Sequence, residues 1–100
     1  MQIKLIMTWD ISPENEQGYF EFVISEFIPG IQRLGLEPME AWATVYGRLP
    51  QIQVSMLAKD LALARKALRS NTWQDLRSKL LSYVSNFSYK LIPAGSGFQL

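Results

Sequence analysis

The sequence predicts an α+β domain in which helices cover one face of a four-stranded antiparallel sheet. Three observations predict it. Apolar and polar residues alternate in four short runs, the spacing of strands. Between the first and second runs, and between the third and fourth, apolar residues recur every three or four positions, the spacing of helices. The second and third runs are separated only by Gly47-Arg48-Leu49-Pro50, which makes them a hairpin. A chain of 100 residues is one domain in length. We assign it to residues 1–93, with 94–100 as a flexible C-terminal tail.

The first strand covers residues 3–9. Ile3, Leu5, Met7 and Trp9 take one side, and Lys4, Ile6 and Thr8 the other. Ser12 is placed to cap a helix, and Pro13 fits the first helical position because its missing N–H would be unpaired there. Glu14 and Glu16 suit the positive end of the helix dipole. Phe20, Val23, Ile24, Phe27, Ile31 and Leu34 form the apolar stripe. Pro29 cannot donate to the carbonyl of Ser25, so the helix kinks there or stops and restarts. Gly35 closes it in a left-handed conformation, with Leu36 folding back toward Ile31. Met39 to Tyr46 is the second strand, with Met39, Ala41, Ala43 and Val45 opposite Glu40, Trp42, Thr44 and Tyr46. Ile52, Val54 and Met56 mark the third. Asp60 caps a helix whose stripe is Leu61, Ala64 and Leu68. Thr72 and Asp75 resemble a capping box for a further helix bearing Trp73, Leu76, Leu80 and Val84. Phe87 to Ile92 is the last strand.

Two right-handed crossovers on one antiparallel sheet make this the ferredoxin-like βαββαβ sandwich. The more apolar side of each strand belongs under the helices. The opposite side carries Lys4, Ile6, Thr8, Trp42, Thr44, Tyr46, Gln53, Ser55, Leu57, Ser88, Lys90 and Ile92. A one-residue slip in the last strand would exchange its three residues for Phe87, Tyr89 and Leu91. Nothing in the chain covers that side. Trp42 and Tyr46 are unusual on a solvated sheet, and Gln53 and Lys90 are unusual in a dry core. A half-buried wall between two copies suits all four, so a homodimer is the expected assembly.

Composition narrows the chemistry. A net charge of +1 offers no electrostatic case for nucleic acid or an anionic membrane. The basic residues between Lys59 and Lys79 alternate with apolar ones, as on a solvated helix face. There is no cysteine, which excludes disulfides and thiolate nucleophiles and fits a reducing, cytoplasmic compartment. There is no histidine, which removes the usual base near neutral pH and the commonest metal ligand. No long apolar run or cleavage-site pattern follows Met1, so neither a signal peptide nor a membrane span is expected. The RNA-recognition fold shares this element order, but its third strand needs a basic residue, glycine and aromatics. Here that strand reads Gln51-Ile52-Gln53-Val54-Ser55-Met56.

The uncovered face supplies the ligand-binding candidates: Thr8, Trp42, Thr44, Tyr46, Gln53 and Ser55. Trp42 and Tyr46 could stack on an aromatic ligand or fill the interface between copies. Trp9 and Trp73 read as packing residues. Asp10, Glu14 and Glu16 form an acidic group that fits helix capping better than a metal site. Glu40 and Lys90 read as surface charges. No metal site and no cofactor is expected, and no catalytic residue stands out.

Three stretches carry a family resemblance: Leu5-Ile6-Met7-Thr8-Trp9, Tyr19-Phe20-Glu21-Phe22, and Thr72-Trp73-Gln74-Asp75-Leu76 running on to Tyr83 and Phe87. They resemble the dimeric α+β barrel superfamily, in particular antibiotic-biosynthesis-monooxygenase-like and NIPSNAP-like proteins. The resemblance implies a homodimer whose two sheets face each other around a shared lumen. Its members include cofactor-free oxygenases, haem-degrading enzymes, isomerases and proteins without known activity. The haem-degrading members employ an Asn, Trp and His set, from which this chain departs by having no histidine. Three functions follow as expectations. The first is binding of a small, partly apolar molecule in the lumen. The second is a cofactor-free monooxygenase acting on an aromatic or polyketide-like compound, with Thr8, Trp42, Tyr46 and Ser55 orienting it. The third is a structural or partner-binding homodimer whose tail docks through Phe98 and Leu100.

Overall fold

Strand β1, Ile3–Ile11, lies inside the sheet and buries every second side chain: Ile3, Leu5, Met7, Trp9 and Ile11. The computed structural model describes the backbone of residues 1–46 and 49–94 and the side chains of residues 1–44 and 51–94. The other strands are β2, Glu37–Tyr46, β3, Leu49–Ala58, and β4, Val84–Pro93. Their order is β2-β3-β1-β4 with every neighbour antiparallel, which is the ferredoxin-like sheet. The expected tail lies outside the described residues except for Ala94, whose N–H donates to the Gln2 carbonyl at 2.9 Å.

The first crossover is one helical segment in four pieces. A 3₁₀ turn, Pro13–Asn15, leads into α1, Glu16–Phe22, a π-helical turn, Val23–Phe27, and α2, Ile28–Gln32. Ser12 makes no side-chain cap; its backbone N–H instead donates to the Tyr83 carbonyl at 3.1 Å. The wide turn takes up the disturbance expected at Pro29, because the Ile28 N–H reaches back five residues to the Val23 carbonyl. The wide turn also corrects the apolar stripe. The buried hydrophobic side chains are Tyr19, Phe22, Phe27 and Ile31, with a step of five across the wide turn, while Phe20 and Ile24 are exposed. The segment ends as expected. Gly35 has φ +94°, and the Leu36 N–H donates to the Ile31 carbonyl at 3.3 Å.

The second crossover holds α3, Leu61–Arg69, and α4, Asn71–Leu81. Asp60 caps α3 by accepting from the Leu63 N–H at 2.8 Å. Its buried residues are Ala64 and Ala67, and Leu61 is exposed, so the expected stripe is rotated. The cap of α4 is Ser70, not Thr72: its Oγ accepts from the Trp73 N–H at 3.1 Å, three residues on. The helix also stops earlier than its apolar pattern implies. The Ser82 hydroxyl donates to the Lys79 carbonyl at 2.6 Å and the Tyr83 N–H to the Leu80 carbonyl at 2.9 Å. Val84 therefore opens β4 instead of extending the helix stripe.

Register settles the two sheet faces. Thr8 pairs with Gln53 on one side and Ser88 on the other, so Ser88, Lys90 and Ile92 share the uncovered face. Phe87, Tyr89 and Leu91 lie under the helices. Two irregularities interrupt the sheet. Met39 is an extra residue in β2 between the Pro38–Met56 and Glu40–Ser55 pairs. The β1–β4 register shifts between Thr8 and Asp10, where Asn86 adopts φ 55°.

The core is an aromatic cluster beneath the helices. Trp9 stacks on Phe87 at 6.1 Å and meets Phe27 edge-on at 6.0 Å. Trp73 extends the cluster from α4, 6.2 Å from Phe27 and 5.9 Å from Tyr89. Trp9 and Trp73 are thus packing residues, as expected.

Gly35 gives a direct test of the helix exit. A Cβ there would stand 3.1 Å from Leu63 Cδ1 on a left-handed backbone. Gly35→Ala is expected to lower stability by about 1–2 kcal/mol, read as a lower urea midpoint with an unchanged slope.

Candidate functional site

The helices leave a groove along β2. On the helix side of that strand stand Ala41, in register with Val54, and Ala43, in register with Ile52. Both alanines are exposed, because a methyl group fills little of the space between the strand and the first crossover. Ile52 pairs in turn with Trp9, so Ala43, Ile52 and Trp9 form a row across the floor. Phe20, Val23, Ile24 and Ile28 form the helical wall, and Met39, projecting at its bulge, lies at the rim with Pro38 and Glu40. The groove holds about 500 Å³. Phe20 and Ile24, 48% and 71% exposed, line it from the helix.

One polar pair is built into this apolar surface. Trp9 Nε1 donates to the Tyr19 hydroxyl oxygen at 2.8 Å, and both side chains are buried. An indole N–H without an acceptor would cost about 1–3 kcal/mol in such a place. Burial raises the Tyr19 pKa above its ordinary 10.0, and the bond from Trp9 partly opposes that rise.

By register the residues expected to face a ligand lie on the other side of the sheet, although Trp42 also borders the groove from edge strand β2. Trp42, Gln53 and Thr8 form one row that continues to Ser88, whose Oγ is 2.8 Å from Thr8 Oγ1. Ser55 belongs to the next row with Glu40, Ile6 and Lys90, and Thr44 lies opposite Gln51 two residues the other way. Neighbouring rows of one face are about 7 Å apart. Tyr46 is placed only by backbone register, opposite Leu49; its side chain is outside the described set. Ser55 is buried and Trp42 is 57% exposed, and the five candidates with described side chains spread over three rows of the face. Among the described residues a recess of about 190 Å³ lies on this face, and Thr8, Gln53, Ser88 and Lys90 help to line it.

The acidic group at the first junction is dispersed. Asp10 accepts from Asn86 Nδ2 at 2.7 Å, Glu14 lies in the 3₁₀ turn and Glu16 in the first turn of α1. Among the described residues no three Asp, Glu, His or Cys side chains come together as metal ligands. Nor is any helix among them long and apolar enough to cross a membrane.

Tyr19, Ala41 and Ala43 line the groove without being singled out by alternation alone. Two signals point to them. A tryptophan on the inward side of a strand needs an acceptor for its N–H. Two alanines on the inward side of one strand leave room where larger residues would fill it.

Ionisation of Tyr19 links this site to stability. Its raised pKa means that the unfolded chain releases the proton first, so the contribution is intact below pH 10.0 and is lost as pH rises toward the folded pKa. Thermal melts from pH 8 to pH 11 are expected to show a steeper decline above pH 10 for the native chain than for Tyr19→Phe.

No protein-family profile matches the chain, and no curated protein does. Solved structures do. A NIPSNAP family protein from Agrobacterium tumefaciens superposes with a TM-score of 0.73 at 16% identity, covering 98% of this chain and 89% of that one. An uncharacterised NIPSNAP domain protein from Burkholderia xenovorans gives 0.69 at 13% identity, covering 99% of both chains. SnoaB, a cofactor-independent oxygenase from Streptomyces nogalater, gives 0.65 at 12% identity, covering 97% of this chain and 96% of its own. Identities this low speak for the fold alone, and that fold is the ferredoxin-like one.

Proposed function

We propose that the protein is a homodimer that binds a small, largely apolar molecule, and that the molecule sits in the groove between β2 and the first crossover. One observation carries this reading: the groove is about 500 Å³, open at β2, and walled by Phe20, Val23, Ile24 and Ile28 over a floor of Trp9 and Ile52. An apolar concavity of several hundred Å³ is the usual form of a small-molecule site. The sequence-based expectation of a ligand between facing sheets is less well supported, since among the described residues the recess there is about 190 Å³ and has Thr8, Gln53, Ser88 and Lys90 in its lining. The open face fits better as the contact between copies. It combines Ile6, Leu57 and Ile92 with hydroxyl and amide groups and with Trp42, an interface anchor by type. A sheet-to-sheet contact would bury about 1,200–2,000 Å² in total.

A second reading is a cofactor-free oxygenase working in the same groove on a flat aromatic substrate. Its support is the full-length similarity of fold to SnoaB and a floor that includes the Trp9 indole. Oxygen consumption with anthrones and related phenols tests it, and no uptake across such a panel would remove it.

Two substitutions test the main reading. Ala43→Phe fills the groove at an exposed position, so stability is expected to change by no more than about 0.5 kcal/mol, while binding of a two-ring hydrocarbon such as 2-isopropenylnaphthalene is lost in calorimetric titration. Unchanged binding would place the ligand elsewhere. Ile6→Glu puts a charge on the open face. The sedimenting mass is expected to fall from dimer to monomer with an unchanged far-ultraviolet spectrum; a persistent dimer would move the interface to another surface.

A further inference from the structure

We infer that the groove selects an uncharged ligand bearing one hydrogen-bond acceptor, such as a carbonyl oxygen, and that the Tyr19 hydroxyl is the donor that recognises it. This rests on the groove reading above and goes beyond it by assigning a chemical class.

A phenol hydroxyl has one proton to give and lone pairs to accept with. The Tyr19 oxygen already accepts from Trp9 Nε1 at 2.8 Å, and among the described residues no acceptor takes its proton. Tyr19 is 3% exposed and lines the groove. A buried hydroxyl with an unspent proton beside an apolar cavity favours a ligand that brings the missing acceptor. Trp9 fixes the oxygen, so the donor is oriented before the ligand arrives and little conformational freedom is lost on binding. The N–H of Trp9 also polarises the hydroxyl it donates to, which makes that hydroxyl a better donor.

Charge argues in the same direction. The groove lining contains no Lys or Arg, and its charged residue is Glu40 at the rim. By register the Glu40 side chain belongs to the open face, so a carboxylate or phosphate ligand in the groove would find no cation to meet it. Nor does the lining hold a second buried hydroxyl or amide that would call for a ligand with several polar groups. One acceptor on an apolar frame satisfies the site.

The test uses two probes of nearly equal shape, 2-acetylnaphthalene and 2-isopropenylnaphthalene, titrated calorimetrically into the native chain and Tyr19→Phe. The variant is expected to bind the ketone about tenfold more weakly and the hydrocarbon within about twofold of the native value. Infrared difference spectra of the bound ketone should show its carbonyl band at lower wavenumber in the native chain than in the variant. Equal losses for the two probes, or a carbonyl band at its position in an alkane solvent, would overturn the assignment of Tyr19 while leaving the groove as a binding site. Failure of both probes to bind the native chain would instead remove the groove reading, and this inference with it. If Tyr19→Phe does not fold, the carbonyl band in the native chain decides alone.

Discussion

Trp9 joins the sheet, its last strand and the first crossover through one side chain. It is a fully buried residue of the inner strand β1, it stacks on Phe87 of β4, and it meets Phe27 of the helical segment at its edge. Burial of its ring favours closure of the helices over the sheet, but burial also strands its N–H away from water. That donor has to be met from inside the protein. Tyr19 meets it from α1, so the angle at which the first helix leaves the sheet is tied to one hydrogen bond. The helix must approach closely enough for Tyr19 to reach Trp9, while Phe20 and Ile24 are left over the groove. Packing and site geometry thus have a common cause.

The two faces of the sheet divide two kinds of work. The helix side supplies the core and, where β2 carries only alanines, the groove. The uncovered side has an ordered, part-polar texture, with Thr8 and Ser88 bonded to each other and Ser55 already buried within a single copy. A surface of that texture can meet its own image without stranding many polar groups, because hydroxyls and amides rotate to pair across a contact.

Most of the fold was legible in the residues because it rests on local periodicity. The strict alternation of Ile3 to Trp9 and the Asp60 and Gly35 signals at helix ends needed no knowledge of distant contacts, whereas the extension of the strand to Ile11 rests on its pairing with Val84. The misreadings arose where a local pattern has two solutions that tertiary structure decides between. Ser70 and Thr72 can each cap a helix, and only Ser70 stands three residues before Trp73, whose indole the core requires. Val84 continues both a helix stripe and a strand. The choice falls to the strand because its pairing with Ile11 fills the end of the sheet. The site was less legible for a related reason. The open-face residues announce themselves by type, whereas the groove is made by what is small, Ala41 and Ala43, and by a stripe that a wide turn displaces.

That wide turn bears on how such a chain can diversify. A five-residue step between Phe22 and Phe27 keeps both rings inside, and a four-residue step in an ordinary helix would do the same. A codon can therefore be deleted between them without re-phasing the core. The residues in that interval include Val23 and Ile24, which form the groove wall. Related chains can change the shape of this cavity through length as well as composition, at a seam that the rest of the domain does not register.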